Sequence, residues 1–286
     1  MSVTIEAALK QAAEHLECAQ SPSARIDASV LLCHLLDKPS SYLFTWPDKT
    51  LTEQQLSGYQ QLIKRRCQGE PVAYITGTRE FWSLELDVEP STLIPRPDTE
   101  RLVELALEKI TSACRSVLDL GTGTGAIALA IASENPGISV IGVDLRHEAV
   151  ALATRNREKL KLNNASFLQS SWFDAVSTST SQPFDVIVSN PPYIDPEDPH
   201  LSQGDVRFEP SSALTADDHG LADIRHICFY SPQFLSHEGW LLIEHGYDQG
   251  ESVRELFLSA GFTEVETIKD YADLDRVTRG RYCHNK

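Results

Sequence analysis

The sequence predicts an α/β protein, in which a mostly parallel sheet covered by helices on both faces follows a small all-helical domain. From about residue 93 onwards, short apolar segments alternate with helical patterns, which is typical of parallel strands joined by helices. The first 70 residues show only the helical spacing of apolar residues. The charge also changes along the chain: residues 1–75 contain 7 Lys and Arg against 8 Asp and Glu, and the rest contains 18 against 33.

Three helices are predicted in the N-terminal part, the first from its alanines and leucines at helical spacing. The second is expected to begin at Ser21-Pro22, because Ser can cap a helix and Pro at the first helical position loses no hydrogen bond. Pro39 is expected to end it. Thr52 and Gln55 have the spacing of a capping box, which predicts the start of the third helix.

A β-hairpin is predicted between the two parts of the chain. Ala73–Ile75 and Phe81–Val88 have the composition of strands, and Thr76-Gly77-Thr78 lies between them as a turn. The predicted domains are a helical domain (1–72), a hairpin linker (73–90) and an α/β domain (91–286).

Seven strands are predicted in the α/β domain. They are Ser116–Leu120, Val140–Val143, Phe167–Gln169, Asp185–Ser189, Trp240–Glu244, Phe262–Ile268 and Asp275–Tyr282, the last two as an antiparallel pair. Ala126–Ser133 is an almost wholly apolar helix and is therefore expected to be buried. A short polar loop is predicted at 177–182. In parallel sheets of this kind, ligands bind beyond the carboxyl ends of the strands.

Composition excludes several classes of protein. The formal net charge of −16 argues against a protein that holds nucleic acid by neutralising phosphates. The N-terminus lacks the features of a signal peptide, and no segment reaches the roughly 18 apolar residues of a membrane span. The six cysteines form no metal-binding pattern, so we expect reduced thiols, no metal site, a cytoplasmic location and no membrane partner.

A glycine-rich turn follows the first strand of the α/β domain. Gly121-Thr122-Gly123-Thr124-Gly125 allows the backbone to turn sharply and to approach a ligand without Cβ atoms in the way. Asp144 ends the next strand, where a carboxylate can bind both hydroxyls of a ribose. The pattern also fits a dinucleotide fingerprint, so by itself it leaves open a nicotinamide cofactor or S-adenosylmethionine. Asp119 favours the second, since a carboxylate there suits a cofactor with an ammonium and a sulfonium.

The fourth strand ends in Asn190-Pro191-Pro192-Tyr193. Two prolines stiffen the backbone and leave its carbonyls without strand partners. Asn190 offers a donor and an acceptor, and Tyr193 offers a flat face and a hydroxyl. This set suits a planar substrate group with an NH2 next to an sp² carbon, either an amide or the exocyclic amine of a base.

With these motifs in place, the sequence resembles the amino-methylating S-adenosylmethionine-dependent methyltransferases, and within them the peptide chain release factor glutamine methyltransferases (the PrmC/HemK family). The resemblance extends from end to end. Beyond the glycine turn and Asn190–Tyr193, it rests on three further blocks, which are Pro71–Gly77 with Phe81-Trp82, Leu93–Glu100, and Glu209-Pro210 with Ala213-Leu214.

The resemblance implies a Rossmann-like seven-stranded methyltransferase sheet and transfer of a methyl group from S-adenosyl-L-methionine, leaving S-adenosyl-L-homocysteine. The acceptor would be the side-chain amide nitrogen (N5) of the glutamine in the Gly-Gly-Gln motif of release factors, a modification that modulates translation termination. The helical domain would dock that protein. The implied cofactor-binding residues are Gly121, Thr122, Gly123, Thr124, Gly125, Asp144, Trp172 and Asn190.

The resemblance also assigns the substrate site to Asn190, Pro191, Pro192 and Tyr193, with Asn190, Pro191 and Tyr193 as catalytic residues. Asn190 and the Pro191 carbonyl would accept hydrogen bonds from the glutamine NH2, and Tyr193 would pack against the amide plane. One departure concerns adenine recognition. Relatives often have an acidic residue just before the aromatic residue at 172, and this chain has Ser170-Ser171.

Three other functions remain as alternatives. A nucleic-acid amino methyltransferase would use the same Asn-Pro-Pro-Tyr chemistry on a flipped base, but the acidic α/β part argues against it. A nicotinamide-dependent oxidoreductase would leave Asp119 and Asn190–Tyr193 unexplained. The third is a module that binds the cofactor without catalysis. Arg96 and Thr99 are expected either to border the cofactor or to cap a helix, and His245 is a weak catalytic candidate.

Overall fold

A computed structural model describes residues 3–176 and 182–284. The chain forms two compact units, one comprising Met1–Thr78 with Ser202–Phe208 and the other Arg79–Leu201 with Glu209–Lys286. The domain bounds predicted from the sequence remain a prediction. The loop predicted at 177–182 lies outside the described residues, apart from Gln182. No helix within the two described ranges is long and apolar enough to cross a membrane.

The N-terminal unit is helical. Its helices are α1 (Ile5–Cys18), α2 (Ala24–Leu36), α3 (Ser40–Thr45), α4 (Glu53–Cys67) and α5 (Val72–Thr76). The capping box that opens α4 is confirmed, because the side chains of Thr52 and Gln55 each accept a hydrogen bond from the other residue's backbone. Helix α2 begins later than predicted, since the hydroxyls of Ser21 and Ser23 both donate to the Asp27 carboxylate instead of capping the helix.

The segment predicted as a strand at Ala73–Ile75 is instead part of α5, which corrects the predicted hairpin. Pro71 precedes the first turn of α5, and Gly77 ends the helix in the left-handed conformation, at φ +77°. Pro71 and Gly77 therefore mark the two ends of a short helix. The hairpin itself is formed by β1 (Thr78–Phe81) and β2 (Leu84–Asp87).

A buried ion-pair cluster stabilises the N-terminal unit. The Arg66 guanidinium lies 2.8 Å from the Asp27 carboxylate and 2.9 Å from the carboxylate of Asp205, which belongs to the short segment Ser202–Phe208. The hydroxyl of buried Tyr59 donates to the Ala28 carbonyl at 2.8 Å and joins α4 to α2. The charge of the buried Arg66 is thus satisfied by one carboxylate that is also buried, Asp27, and by a partly exposed one, Asp205.

The second unit contains a seven-stranded sheet among its described residues, which confirms the predicted fold class. Its strands are β3 (Ser116–Leu120), β4 (Ser139–Asp144), β5 (Ala165–Gln169), β6 (Phe184–Ser189), β7 (Leu235–Glu244), β8 (Phe262–Lys269) and β9 (Asp275–Tyr282). The order is β5-β4-β3-β6-β7-β9-β8. The first five are parallel, and β9 is antiparallel to both β7 and β8.

Helices cover both faces of this sheet. They are α6 (Glu100–Lys109), α7 (Ala126–Glu134), α8 (His147–Leu160), α9 (Ala222–Tyr230) and α10 (Gly250–Ser259). Successive residues of β3 enter different cores: Val117 packs with α6 and α7, and Leu118 packs with α9 and α10. The chain runs from β3 to β4 and β5 on one side and returns to β6 on the other. The carboxyl ends of β3 and β6 therefore meet at a switch point of the topology, where ligands bind.

Candidate active site

The glycine turn after β3 adopts the conformation that its sequence predicts. Gly121, Gly123 and Gly125 have φ values of +72°, +54° and +83°, which favour glycine. A Cβ at Gly125 would also lie within 3.0–3.1 Å of side chains from β5, α8 and α7. The Thr122 N–H donates to the Val143 carbonyl at 2.9 Å, which ties the turn to the end of β4.

Asp144, at the end of β4, faces the turn. Its Oδ2 accepts a hydrogen bond from the Gly123 N–H at 3.0 Å, and its Oδ1 accepts one from the Arg146 N–H at 2.9 Å. Partial burial raises the pKa of this carboxyl. Each oxygen keeps a further lone pair, so the carboxylate can still accept hydrogen bonds from a ligand.

Asp119 lies below the turn and is fully buried. Its Oδ2 accepts a hydrogen bond from the Thr122 hydroxyl at 2.6 Å. Burial raises its pKa to about 7. Within the described part of the chain, Asp119 Oδ1 has no hydrogen-bond partner. The structure thus shows this carboxyl supporting the turn through Thr122, and it does not line the cavity described next.

A cavity of about 230 Å³ lies beyond the carboxyl ends of β3, β4 and β6. Among the predicted site residues, Gly121, Thr122, Gly123, Thr124, Asp144, Trp172, Asn190 and Pro192 line it. Gly125, Pro191 and Tyr193 do not. Phe81 of the hairpin and Arg96 also line it, whereas the Trp82 indole N–H donates to Glu134 at 2.8 Å.

Trp172 adopts a left-handed backbone conformation, at φ +46°, close to the glycine turn. A methyl group at Gly121 would lie 3.7 Å from its ring. The Ser170 hydroxyl donates to the Trp172 carbonyl at 2.9 Å and accepts from the Ala175 N–H at 2.9 Å, which fixes the segment that carries the indole. The flat face of the indole suits the stacking of a planar ring.

The sequence reasoning missed one cavity carboxylate, Asp223 at the start of α9. It shares the cavity wall with Trp172, whose ring centroid lies 6.4 Å from that of His226, one turn further along the same helix. Burial raises the pKa of Asp223. Nothing near it in the sequence marks a ligand site, because only folding brings α9 beside the segment after β5.

The Asn190–Tyr193 segment leaves β6 at the cavity wall. The Ser189 hydroxyl donates to the Leu120 carbonyl at 2.8 Å and so joins the ends of β6 and β3. Asn190 Nδ2 donates to the Thr99 hydroxyl at 3.1 Å. Tyr193 does not line the cavity, and its hydroxyl donates to Glu244 Oε1 at 3.3 Å. Thr99 begins α6 without a side-chain capping bond, so its hydroxyl serves this contact instead.

Two motif blocks that are far apart in the sequence meet beside the cavity. The Arg96 guanidinium pairs with the buried Glu209 carboxylate, whose Oε2 also accepts a hydrogen bond from the Ile94 N–H at 3.3 Å. Glu209 thereby fixes the 94–96 segment.

His245, the weak catalytic candidate, is a buried residue that does not line the cavity. It is fully buried, with Nδ1 2.8 Å from the Gly246 carbonyl and Nε2 2.8 Å from the Thr278 hydroxyl. Burial lowers its pKa.

Comparison with known proteins identifies the family. A family model described as the PrmC N-terminal domain matches residues 7–77, and one described as a methyltransferase domain matches residues 111–227. A Vibrio cholerae protein named release factor glutamine methyltransferase is 60% identical over 282 residues, which cover 99% of this chain and 98% of that protein. The chain belongs to the release factor glutamine methyltransferase family. An Escherichia coli member is 52% identical and covers 96% of this chain and 97% of its own length.

Solved structures support the methyltransferase fold of this family member. A methyltransferase from Pyrococcus furiosus aligns with a TM-score of 0.54 at 16% identity, covering 79% of this chain and 99% of its own. The hMettl16 catalytic domain, solved in complex with the MAT2A 3'UTR hairpin 1, aligns with a TM-score of 0.58 at 14% identity, covering 83% and 85%. At such low identities, the likeness concerns the fold alone.

Proposed function

We propose that this protein transfers a methyl group from S-adenosyl-L-methionine to the side-chain amide nitrogen (N5) of the glutamine in the Gly-Gly-Gln motif of peptide chain release factors. The observation that carries the proposal is one cavity with two different ends. The glycine turn, Asp144 and Trp172 line one part of its wall, and Asn190 and Pro192 line another. Membership of the family supports the choice of an amide as the acceptor.

The residues of the cavity fit this cofactor. The Asp144 carboxylate is held by two backbone N–H groups and retains lone pairs for ribose hydroxyls. Glycines at 121 and 123 keep Cβ atoms out of a close approach by the methionine part, and the Trp172 indole provides a flat face for the adenine. Transfer of the methyl group would convert this cofactor into S-adenosyl-L-homocysteine.

Asp223 is proposed to accept a hydrogen bond from the adenine amino group. The resemblance implies an acidic residue where this chain has Ser171. Asp144 and Asp223 are the two carboxylates among the described residues that line the cavity. Asp144 is assigned to the ribose, so Asp223, beside Trp172, is the acceptor that remains.

The main contribution of the protein to the reaction is to position the substrate amide nitrogen against the methyl group of the cofactor. When bound, the cofactor supplies a methyl group already activated by a sulfonium. An amide nitrogen is a poor nucleophile because its lone pair is delocalised into the carbonyl. Asn190 Oδ1 and the Pro191 carbonyl are proposed to accept the two N–H hydrogens, which orients the nitrogen and stabilises the positive charge that develops on it. The bond from sulfur to the methyl group breaks as the nitrogen gains the methyl group, and one of the two protons is then released to solvent. Tyr193 is proposed to pack behind the amide.

The N-terminal helical unit is proposed to dock the release factor, because a cavity that admits one side chain cannot by itself select a protein. Large apolar side chains on this unit support the proposal: Ile26, Phe44 and Trp46 are all more than half exposed. The cytoplasmic location and the absence of a nucleic-acid partner remain predictions from the sequence.

The proposed function is tested by methyl transfer in vitro. Purified protein is incubated with tritiated S-adenosylmethionine and a bacterial release factor isolated from cells that lack this enzyme. We expect label on the release factor, and mass spectrometry should place it on the glutamine of Gly-Gly-Gln. A release factor with that glutamine replaced by alanine is the matched control. Label on added DNA, with none on the release factor, would overturn the proposal.

A further inference from the structure

Two of the predicted catalytic side chains converge on one buried carboxyl at the end of β7. The Tyr193 hydroxyl donates to Glu244 Oε1 at 3.3 Å. The Thr99 hydroxyl that accepts from Asn190 Nδ2 lies close to the same carboxyl, whose Oε2 is buried and has no hydrogen-bond partner among the described residues. Glu244 is 2% exposed and does not line the cavity. It therefore contacts the groups that hold the substrate without facing the substrate itself.

We propose that Glu244 is a positioning residue, which acts through Thr99 to keep Asn190 Oδ1 directed into the cavity and through Tyr193 to fix the substrate loop. The proposal rests on the proposed function, since it assigns Asn190 the task of accepting a hydrogen bond from the substrate amide.

The Thr99 hydroxyl has one proton. It can accept from the Asn190 NH2 group only if its own proton points elsewhere. Glu244 Oε2, a buried acceptor without a hydrogen-bond partner among the described residues, is the acceptor that we assign to that proton. With Nδ2 held by Thr99, the other amide atom of Asn190, Oδ1, is left for the cavity side. An ionised carboxylate can only accept hydrogen bonds. While Glu244 is ionised, the Thr99 hydroxyl can therefore donate only to Glu244 and accept only from Asn190.

A protonated or amide group at position 244 could instead donate to Thr99. The Thr99 proton would then be free to point at Asn190, and the amide could turn so that Nδ2 faced the substrate. The NH2 group of Asn190 would then face the NH2 group of the substrate glutamine, and neither could accept a hydrogen bond from the other. The negative charge of Glu244 thus sets which atom of Asn190 the substrate meets.

Tyr193 is held at both ends by the segment that begins with Glu244. Besides the hydroxyl contact, Gln249 Nε2 donates to the Tyr193 carbonyl at 3.0 Å and to the His219 carbonyl at 3.1 Å. The Gln249 Oε1 accepts from the Gly246 N–H at 2.8 Å. Gly220 packs so closely that a Cβ there would lie 2.0 Å from the Tyr193 carbonyl oxygen. These contacts leave little freedom to the loop that carries the substrate residues.

The charges around Glu244 determine when it is ionised. The pKa of Glu244 is raised to about 7, mainly because the carboxyl is buried, with the nearby Asp98 contributing to the rise. Arg276, which is also bound to Asp270, and the hydroxyls of Thr99 and Tyr193 lower it. Ionisation above neutral pH therefore coincides with the required polarity of the Thr99 hydroxyl, and turnover should rise through this range.

The experiment compares Glu244→Gln with Glu238→Gln, which makes the same change at an exposed position of β7. Release-factor methylation is measured from pH 5.5 to 9, together with the Kd of S-adenosylhomocysteine and the Tm. We expect kcat of Glu244→Gln to fall by up to about 100-fold, as for a misoriented catalytic group. Its KM for cofactor and the Kd should be unchanged, and the rise of kcat near pH 7 should disappear.

A second pair of variants keeps the proposal testable if Glu244→Gln does not fold. Thr99→Val should lose activity as Glu244→Gln does, and Thr99→Ser, which keeps the hydroxyl, should retain it. The double variant Thr99→Val with Glu244→Gln should be no worse than either single variant. A wild-type pH profile in Glu244→Gln, or equal activity of Thr99→Val and Thr99→Ser, would overturn the proposal. Failure of the wild-type protein to methylate release factors would instead overturn the proposed function.

Discussion

The two ends of the cavity are built in different ways. At the cofactor end, one continuous turn, Gly121–Gly125, supplies the geometry, and its backbone N–H groups bind the Asp144 carboxylate and the end of β4. At the substrate end, the Asn190 side chain is held by the hydroxyl of Thr99, 91 residues before it, and the Tyr193 hydroxyl is held by Glu244, 51 residues after it. The first is local backbone geometry, and the second is a tertiary chain of side-chain contacts.

This difference has a consequence for mutations. A backbone turn specified by glycines tolerates changes elsewhere, provided that the strand and helix that flank it persist. A chain of side-chain hydrogen bonds loses its function when any single member is changed. We therefore expect substitutions at the substrate end to affect kcat, and substitutions at the cofactor end to affect cofactor affinity.

The largest expected effect is that of Asn190→Ala. It removes the acceptor for the substrate amide, so kcat should fall by about 100- to 1000-fold, as for loss of a transition-state hydrogen bond. The Kd of S-adenosylhomocysteine should change little. Asn163→Ala, the same deletion at an exposed turn, is the control. Near-normal kcat in Asn190→Ala would show that the substrate end does not work as described.

Asp144→Asn should produce the opposite pattern. Loss of charge-assisted hydrogen bonds to the ribose should weaken cofactor binding by about 10- to 100-fold. At saturating cofactor, kcat should stay close to that of the wild type. Calorimetric titration with S-adenosylhomocysteine measures the first effect, and Asp48→Asn, an exposed position on the N-terminal unit, is the control. Unchanged affinity would remove Asp144 from the cofactor site.

A smaller effect is expected for Asp223→Ala. The wild-type protein should bind S-adenosylhomocysteine about tenfold more tightly than an analogue whose purine lacks the 6-amino group, because one hydrogen bond to a carboxylate is lost. In Asp223→Ala the two ligands should bind almost equally. The double variant Asp223→Ala with Ser171→Asp should restore the preference. If Asp223→Ala kept it, the adenine amino group would have another partner.

The smallest effect on catalysis and ligand binding is expected for Asp119→Asn. This substitution is expected to change the stability of the protein. Burial raises the pKa of Asp119 to about 7 from its usual value near 3.8, so its folded state favours the protonated form. The stability that this group contributes is therefore fully present below about pH 3.8 and is lost as pH rises through about 7. Asn can still accept from the Thr122 hydroxyl and carries no charge.

Asp119→Asn should consequently raise the Tm of the cofactor-free protein at pH 8 by more than at pH 5. Each kcal/mol should correspond to about 2–4 °C for a unit of this size. Thermal unfolding at the two pH values tests this. An equal gain in Tm at both pH values would show that the ionisation of Asp119 does not lower the stability of the folded protein.

The sequence predicted most of the fold because its signals are local. The spans of β3 and β9 were predicted to the residue, and the other five strands of the sheet differ only in length. The error at Ala73–Ile75 is equally instructive. Four or five apolar residues between a proline and a glycine suit a strand or a helical turn, and only the packing of α5 within the N-terminal unit decides between them.

By itself, the sequence determined the strand–turn–helix that presents Gly121–Gly125, the carboxylate at Asp144 and the stiff exit at Asn190–Tyr193, because glycine and proline act on the backbone where they stand. Tertiary structure alone decided that Asp223 joins the cavity wall beside Trp172, that the Thr99 hydroxyl accepts from Asn190, and that Glu244 accepts from the Tyr193 hydroxyl. Asp223 and Glu244 carry no local signature, and the motif block that contains Thr99 does not reveal its partner. Their roles arise from the order of strands, which brings the ends of β6 and β7 side by side. They also depend on burial, because a carboxyl makes stronger hydrogen bonds where water is excluded.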